Sequence, residues 1–322
     1  MPHTTLITRI RVTGFTYVDA GLNLIATQAH YSPYNPPIHL LASELHKQGK
    51  LAQDTRQPIK LVEAKRETRD ISTFTFQLSD GATFDVLPGQ HAIVDFSAEN
   101  TNGYRHMADD DPQSLNDDYI RSWTISSVPD IDIKGQYAPS SRFSCTIKNK
   151  SGGAISPMLH RWAQNRSHHP DLNIKFIGAE GDFTCFDEHH HLKYEKLLFL
   201  AGGVGITPFL CMLEVIQKRK VKVDLVLLFS ARGEEVQLAN RFVEAGTDTR
   251  IFDTERDGMA EKVNNVEAVQ RRIQSEDVAA IPALKERGVY LCGPTEFMNA
   301  VTGYLEKAGV NSGDVYFESF TF

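Results

Sequence analysis

Clustered cysteines are missing from this chain. Its 322 residues hold four, Cys145, Cys185, Cys211 and Cys292. These are too few and too scattered for a disulfide framework, and they fit a reducing compartment. Long apolar runs are missing too: none approaches the roughly 20 residues that cross a bilayer. A basic excess is also lacking. The 34 Lys and Arg are outnumbered by 41 Asp and Glu, a net charge of -7, which argues against a nucleic-acid surface. What is present is the composition of an ordinary globular protein, with 41% hydrophobic and 23% charged residues. The length allows two domains, each burying its own core.

The most informative stretch runs Leu197-Leu198-Phe199-Leu200-Ala201-Gly202-Gly203-Val204-Gly205-Ile206-Thr207-Pro208. A continuous apolar run is the pattern of a strand covered on both faces in a parallel sheet. The glycines let backbone approach a ligand, and Pro208 suits a first helical turn because it has no N–H to leave unpaired. Free amides and a positive dipole end then suit a pyrophosphate. A glycine turn alone also serves as an ordinary tight turn. Pro208 moreover stands where the dinucleotide fingerprint has its third glycine.

Two further stretches carry related chemistry. In Arg121-Ser122-Trp123-Thr124-Ile125-Ser126-Ser127, Arg121 and Trp123 share one strand face while Ser122 and Thr124 share the other. A flavin needs a fork for its phosphates, a flat apolar surface and a hydrogen-bonding group near its reactive ring nitrogen. The same residues also read as a plain strand with a buried Trp and an exposed Arg. Phe143 to Lys148 reads as a strand. It leads into Gly152-Gly153-Ala154-Ile155-Ser156-Pro157-Met158-Leu159-His160, a turn that opens a helix and a second anion-binding geometry.

The order of these motifs, followed by Cys292-Gly293-Pro294 and the ending Val315-Tyr316-Phe317-Glu318-Ser319-Phe320, resembles the ferredoxin–NADP reductase superfamily over residues 57 to 322. The resemblance implies an antiparallel β-barrel FAD-binding domain over 57–192, then an α/β parallel-sheet NAD(P)-binding domain over 193–322. Residues 1–56 would be an N-terminal extension. The implied activity is an FAD-dependent NAD(P)H oxidoreductase passing hydride from nicotinamide to flavin. Thr124 would hydrogen-bond near N5, with Cys292 near the transferred hydride and Glu318 and Phe320 against the flavin. Arg121, Ser122, Trp123, Gly152, Gly153 and Ser156 would hold FAD, and Ile147 and Lys148 would be cofactor-binding. Gly203, Gly205, Thr207, Pro208, Arg232, Gly293 and Pro294 would hold the nicotinamide nucleotide.

Relative to the family, Trp123 stands where Tyr is frequent, and Thr321 and Phe322 prolong the tail. Cysteines spaced as C-x₄-C-x₂-C are absent, so no plant-type iron–sulfur domain is expected, and no globin domain either. Electrons would then leave for a small molecule or a separate protein. A reductase fold reused as a non-redox ligand-binding or catalytic scaffold is the alternative.

Beyond residue 192 strand and helix alternate, as a parallel sheet requires. Strands are expected at 223–230, 250–253 and 288–293, and helices at 206–218, 234–244, 264–276 and 294–307. Ser230-Ala231-Arg232 at the second strand's end tilts the choice towards NADPH, because Arg accommodates a 2′-phosphate; Glu234 and Glu235 oppose it. The acidic insertion at 98–118 reads as a solvated loop, or as a lid or partner-docking loop over the cofactor. Leu40–His46 reads as a short helix. His168-His169 and His189-His190-His191 are read as solvated, not metal-binding, since structural metal sites use spaced ligands. Lys218-Arg219-Lys220 reads as a solvated helix end. The cytoplasm is expected, with the mitochondrial matrix as the alternative.

Overall fold

The computed structural model describes residues 11–12, 15–16, 56–100, 119–131, 137–164, 171–187, 190–255 and 262–319. The Leu40–His46 helix, most of the N-terminal extension, insertion residues 101–118, His168-His169 and Phe320 to Phe322 lie outside them.

Six strands form the first sheet. They are β1 (Gln57–Arg66), β2 (Ile71–Leu78), β3 (His91–Asp95), β4 (Ile120–Thr124), β5 (Arg142–Lys148) and β6 (Ile174–Glu180). In β2, Phe74 and Phe76 are buried while Thr73 and Thr75 between them stay half-exposed. That is the period-two signature of a sheet with one covered face. The strands are antiparallel in the order β4-β3-β6-β1-β2-β5. A bridge from Ile125 to Cys145 joins the two outer strands, which closes the sheet towards a barrel. Phe74, Phe76, Phe143 and Phe176 fill it, and helix α1 (Ile155–Gln164) covers it with Ile155, Leu159 and Trp162.

The second sheet holds β7 (Lys196–Gly202), β8 (Asp224–Ala231), β9 (Asp248–Asp253), β10 (Gly288–Gly293) and β11 (Val315–Ser319). All are parallel, in the order β9-β8-β7-β10-β11. β7 is buried on both faces, which is why it reads as unbroken apolar sequence. Leu197, Phe199 and Ala201 pack with α2 (Thr207–Lys218) and α3 (Asn240–Glu244). Leu198 and Leu200 pack with α4 (Ser275–Ala279) and α5 (Thr295–Lys307). Phe183, Cys185 and Phe186, which follow the barrel's last strand, belong to the α2-side core. The strand order reverses between β7 and β10, and open α/β sheets bind ligands at such a crevice. No helix among the described residues is long and apolar enough to cross a membrane.

Two expectations are corrected. Residues 264–276 are not a helix. Asn264 takes a left-handed φ of 52° and turns a short hairpin between Lys262–Val263 and Val266–Glu267. Val269 then bonds to β9, its N–H donating to Ile251 O at 2.8 Å. The helix begins only at Ser275, where Gln274 and Asp277 form a capping box. The end of α2 is not merely solvated either. Arg219 Nη1 donates to His190 O, and the guanidinium lies over the Tyr137 ring, 5.9 Å from its centre. His190 itself packs on Tyr137 at 4.3 Å.

Candidate functional site

Where the barrel meets the parallel sheet, polar side chains are buried together. His91 opens β3 and stands opposite Thr124 on β4. Its Nδ1 lies 3.4 Å from Glu318 Oε1 on β11. Glu318 in turn is registered beside Cys292 at the end of β10. His91, Thr124, Glu318 and Cys292 are each at most 4% exposed. Thr124 Oγ1 and Glu318 Oε2 lack any hydrogen-bond partner among the described residues. An unpaired buried polar atom costs about 1–3 kcal/mol, so both are atoms that a polar ligand would satisfy.

The electrostatics of this junction favour neutral groups. Burial raises the pKa of the Glu318 carboxyl above its ordinary value; His91 opposes the rise and Asp182 adds to it. Burial, reinforced by Glu318, pushes the Cys292 thiol well up. Cys292 is therefore a protonated thiol, the reverse of an activated nucleophile.

β4 presents its residues as alternation requires. Trp123 pairs with Ala92 and Arg121 with Val94, whose side chains point to the barrel core. The indole lies edge-on to Phe96 at 5.6 Å, and Arg121 Nη1 donates to Ile120 O at 2.9 Å. Ser122 and Thr124 face the other way. Before α1, Gly152 has φ 78° and open space where a Cβ would be. Gly153 N donates to Lys150 O at 2.9 Å, and Ser156 Oγ accepts from Lys150 N at 3.0 Å. Both bonds close the turn. Ile147 is buried in the barrel core.

A cleft of about 440 Å³ opens over the ends of β7, β8 and β10. From the residues named on sequence grounds it takes Lys148, Gly203, Arg232 and Pro294. Gly205, Thr207, Pro208, Cys292 and Gly293 are buried and are not among its lining. The reason is packing: a Cβ on Gly205 would stand 2.4 Å from Cys292 O, and one on Gly293 3.0 Å from Gly202 Cα. These glycines let the two strand ends close on each other.

Arg232 is exposed and lines the cleft. It is presented by a turn that Asp253 pins, its Oδ1 accepting from Gly233 N at 2.9 Å.

Sequence reasoning missed three residues of this region. Arg272 also lines the cleft; the pair Arg271-Arg272 was the signal, hidden by the helix expected there. Tyr304 lines it from α5. His91 was readable only as the residue after a Pro-Gly-Gln turn.

Residues 199–303 match the oxidoreductase NAD-binding domain family. The glycine betaine monooxygenase reductase subunit of Pseudomonas aeruginosa is 30% identical over 82% of this chain and 64% of its own length. The chain thus spans less than two thirds of that relative. Among solved structures, the flavohem-like FAD/NAD-binding domain of nitric oxide dioxygenase from Vibrio cholerae is 19% identical, with a TM-score of 0.60 over 82% of this chain and 98% of that one. A ferredoxin NADP⁺ reductase from Neisseria gonorrhoeae with bound FAD and NADP is 15% identical, with a TM-score of 0.55 over 81% of this chain and 97% of that one.

Proposed function

We propose that this chain, which has the ferredoxin–NADP reductase-like fold and an oxidoreductase NAD-binding domain, is a flavoprotein that takes hydride from NAD(P)H and passes electrons to a separate acceptor. The observation that carries this reading is the buried pair of orphan atoms, Thr124 Oγ1 and Glu318 Oε2, at the junction of barrel and sheet. Bound there, FAD would accept hydride at its ring nitrogen and release electrons afterwards. Thr124 would offer its hydroxyl to that nitrogen, and Glu318, whose pKa burial raises, would hydrogen-bond the flavin through its unpaired Oε2. Arg121 and the Gly152–Ser156 turn would bind and orient the FAD phosphates. Protonated Cys292 would pack beside the reacting carbon and keep water from it.

The finer cofactor choice we assign to NADPH. Arg232 and Arg272 line one cleft, and the guanidinium fork matches a phosphate. Steady-state dye reduction with each nucleotide tests this: Arg272→Ala should raise KM for NADPH about tenfold while leaving that for NADH unchanged, since one guanidinium–phosphate bond contributes about 1.5–3 kcal/mol. An equal effect on both nucleotides removes the assignment.

The acceptor we place in the class of oxygenase components, on the likeness to the glycine betaine monooxygenase reductase subunit. A small-molecule acceptor is the outcome if no partner oxygenase takes electrons. Four free, buried cysteines support a reducing compartment, the cytoplasm or a mitochondrial matrix.

A further inference from the structure

The carboxylate of Glu235 stands where a nucleotide phosphate is expected. Gly203 opens the helical turn after β7 with φ 53°, and Glu235 Oε2 lies 3.8 Å from the position its Cβ would take. Glu235 is 9% exposed and lines the same cleft as Gly202, Gly203 and Arg232. Its Oε1 is ion-paired with Lys148 Nζ at the end of β5. The pair therefore reaches from the barrel to the glycine turn of the parallel sheet. The neighbouring acid is held in a similar way, Glu234 Oε1 accepting from Arg69 N at 2.6 Å.

A dinucleotide carries negative charge on both of its bridging phosphates. Placed on this turn, it would meet a largely buried carboxylate whose only ion-pair partner among the described residues is Lys148, and like charges repel. Lys148 lines the cleft and is a cation able to relieve the clash, yet in the ligand-free protein its charge is already committed to Glu235.

We infer that Glu235 is an internal counter-anion, and that the nucleotide binds by exchange with it. The entering phosphates take Lys148 from Glu235, and the carboxylate leaves the turn. The inference rests on the cleft being the nucleotide site. Affinity is then the difference between two ion pairs, because a ligand shifts an equilibrium only by its differential interaction with the two states. Before nucleotide arrives, the pair neutralises the lysine and bridges the two domains.

Calorimetric titration of the oxidised, FAD-loaded protein with NADP⁺ tests the exchange. Glu235→Gln should tighten NADP⁺ binding about fivefold, and Lys148→Met should weaken it by a similar factor, the scale of one partly exposed charge pair. A strut that only joined the domains would give the same sign for both variants, weaker binding in each case. Glu235→Ala repeats the comparison should Glu235→Gln lose its flavin. Unchanged or weaker binding on removal of the carboxylate overturns the exchange alone. A wild-type protein that binds neither NADP⁺ nor NAD⁺ overturns the reading of the cleft as well.

Discussion

Replacing Gly205 by alanine adds one methyl group at a place with no room for it. The new Cβ would lie 2.4 Å from Cys292 O, 2.6 Å from Cys292 C and 2.8 Å from Gly293 Cα. Ordinary van der Waals contact begins at 3.4 Å, so about 1 Å of separation must be found (3.4 minus 2.4), and overpacked sites do not supply it freely. The obstructing atoms are backbone, and β10 cannot give way easily. Cys292 is registered against Ala201 on β7 and Glu318 on β11. Overpacking of this kind costs about 3 kcal/mol, which lowers Tm by about 10 °C in a domain of this size.

Gly152→Ala is the control. Nothing lies within 4 Å of its added methyl, although φ is 78°, so only left-handed strain of about 1 kcal/mol remains. Thermal unfolding followed by circular dichroism separates the two. A Gly205→Ala variant that melts no lower than Gly152→Ala would refute the packing argument at the switch point.

Three other outcomes are expected. Arg287 is 2% exposed and donates to Pro282 O, Leu197 O, Asp224 O and Asp224 Oδ2; Arg287→Met strands these acceptors and should cost about 3 kcal/mol in urea unfolding, whereas a loss under about 1 kcal/mol would show the staple to be dispensable. Because burial raises the Glu318 pKa in the folded state, the stability it confers is complete below the unfolded carboxylate value and is lost as pH rises through the folded one; the Tm of Glu318→Gln relative to wild type should therefore climb with pH, and a difference that shrinks would mean that the His91 contact outweighs burial. Arg121→Ala should lose FAD on dialysis while its far-ultraviolet spectrum stays native, and full flavin retention would remove Arg121 from the phosphate site.

Much of the fold was legible because its periodicities are local. Phe74 and Phe76 alternate with Thr73 and Thr75, which announces a one-sided strand, and the unbroken run from Leu197 to Ala201 announces a two-sided one. Of the glycines read as a nucleotide turn, Gly203 lines the cleft, while Gly205 and Gly293 are taken up by the packing of strand ends. Residues 264–276 misled because apolar spacing there is close to helical, while Asn264 and the pairing of Val269 with β9 decide the conformation.

What stayed hidden is tertiary. The contact of His91 with Glu318 joins residues 227 apart (318 minus 91), and the contact of Lys148 with Glu235 spans 87. Glu234 and Glu235 read as rivals of Arg232 for the ribose because their partners, the Arg69 amide and Lys148, come from the other domain. Local pattern carries no information about such pairs.

The central claim is that this chain moves hydride from a nicotinamide nucleotide to bound FAD. Anaerobic addition of NADPH to the FAD-loaded protein, followed through the flavin's visible absorbance, tests it most directly. The account predicts a yellow protein bleached by a single equivalent of nucleotide, with NADPH effective at lower concentration than NADH. A protein that takes up no FAD, or one whose flavin neither nucleotide bleaches, would contradict it and leave a reductase fold used as a non-redox scaffold.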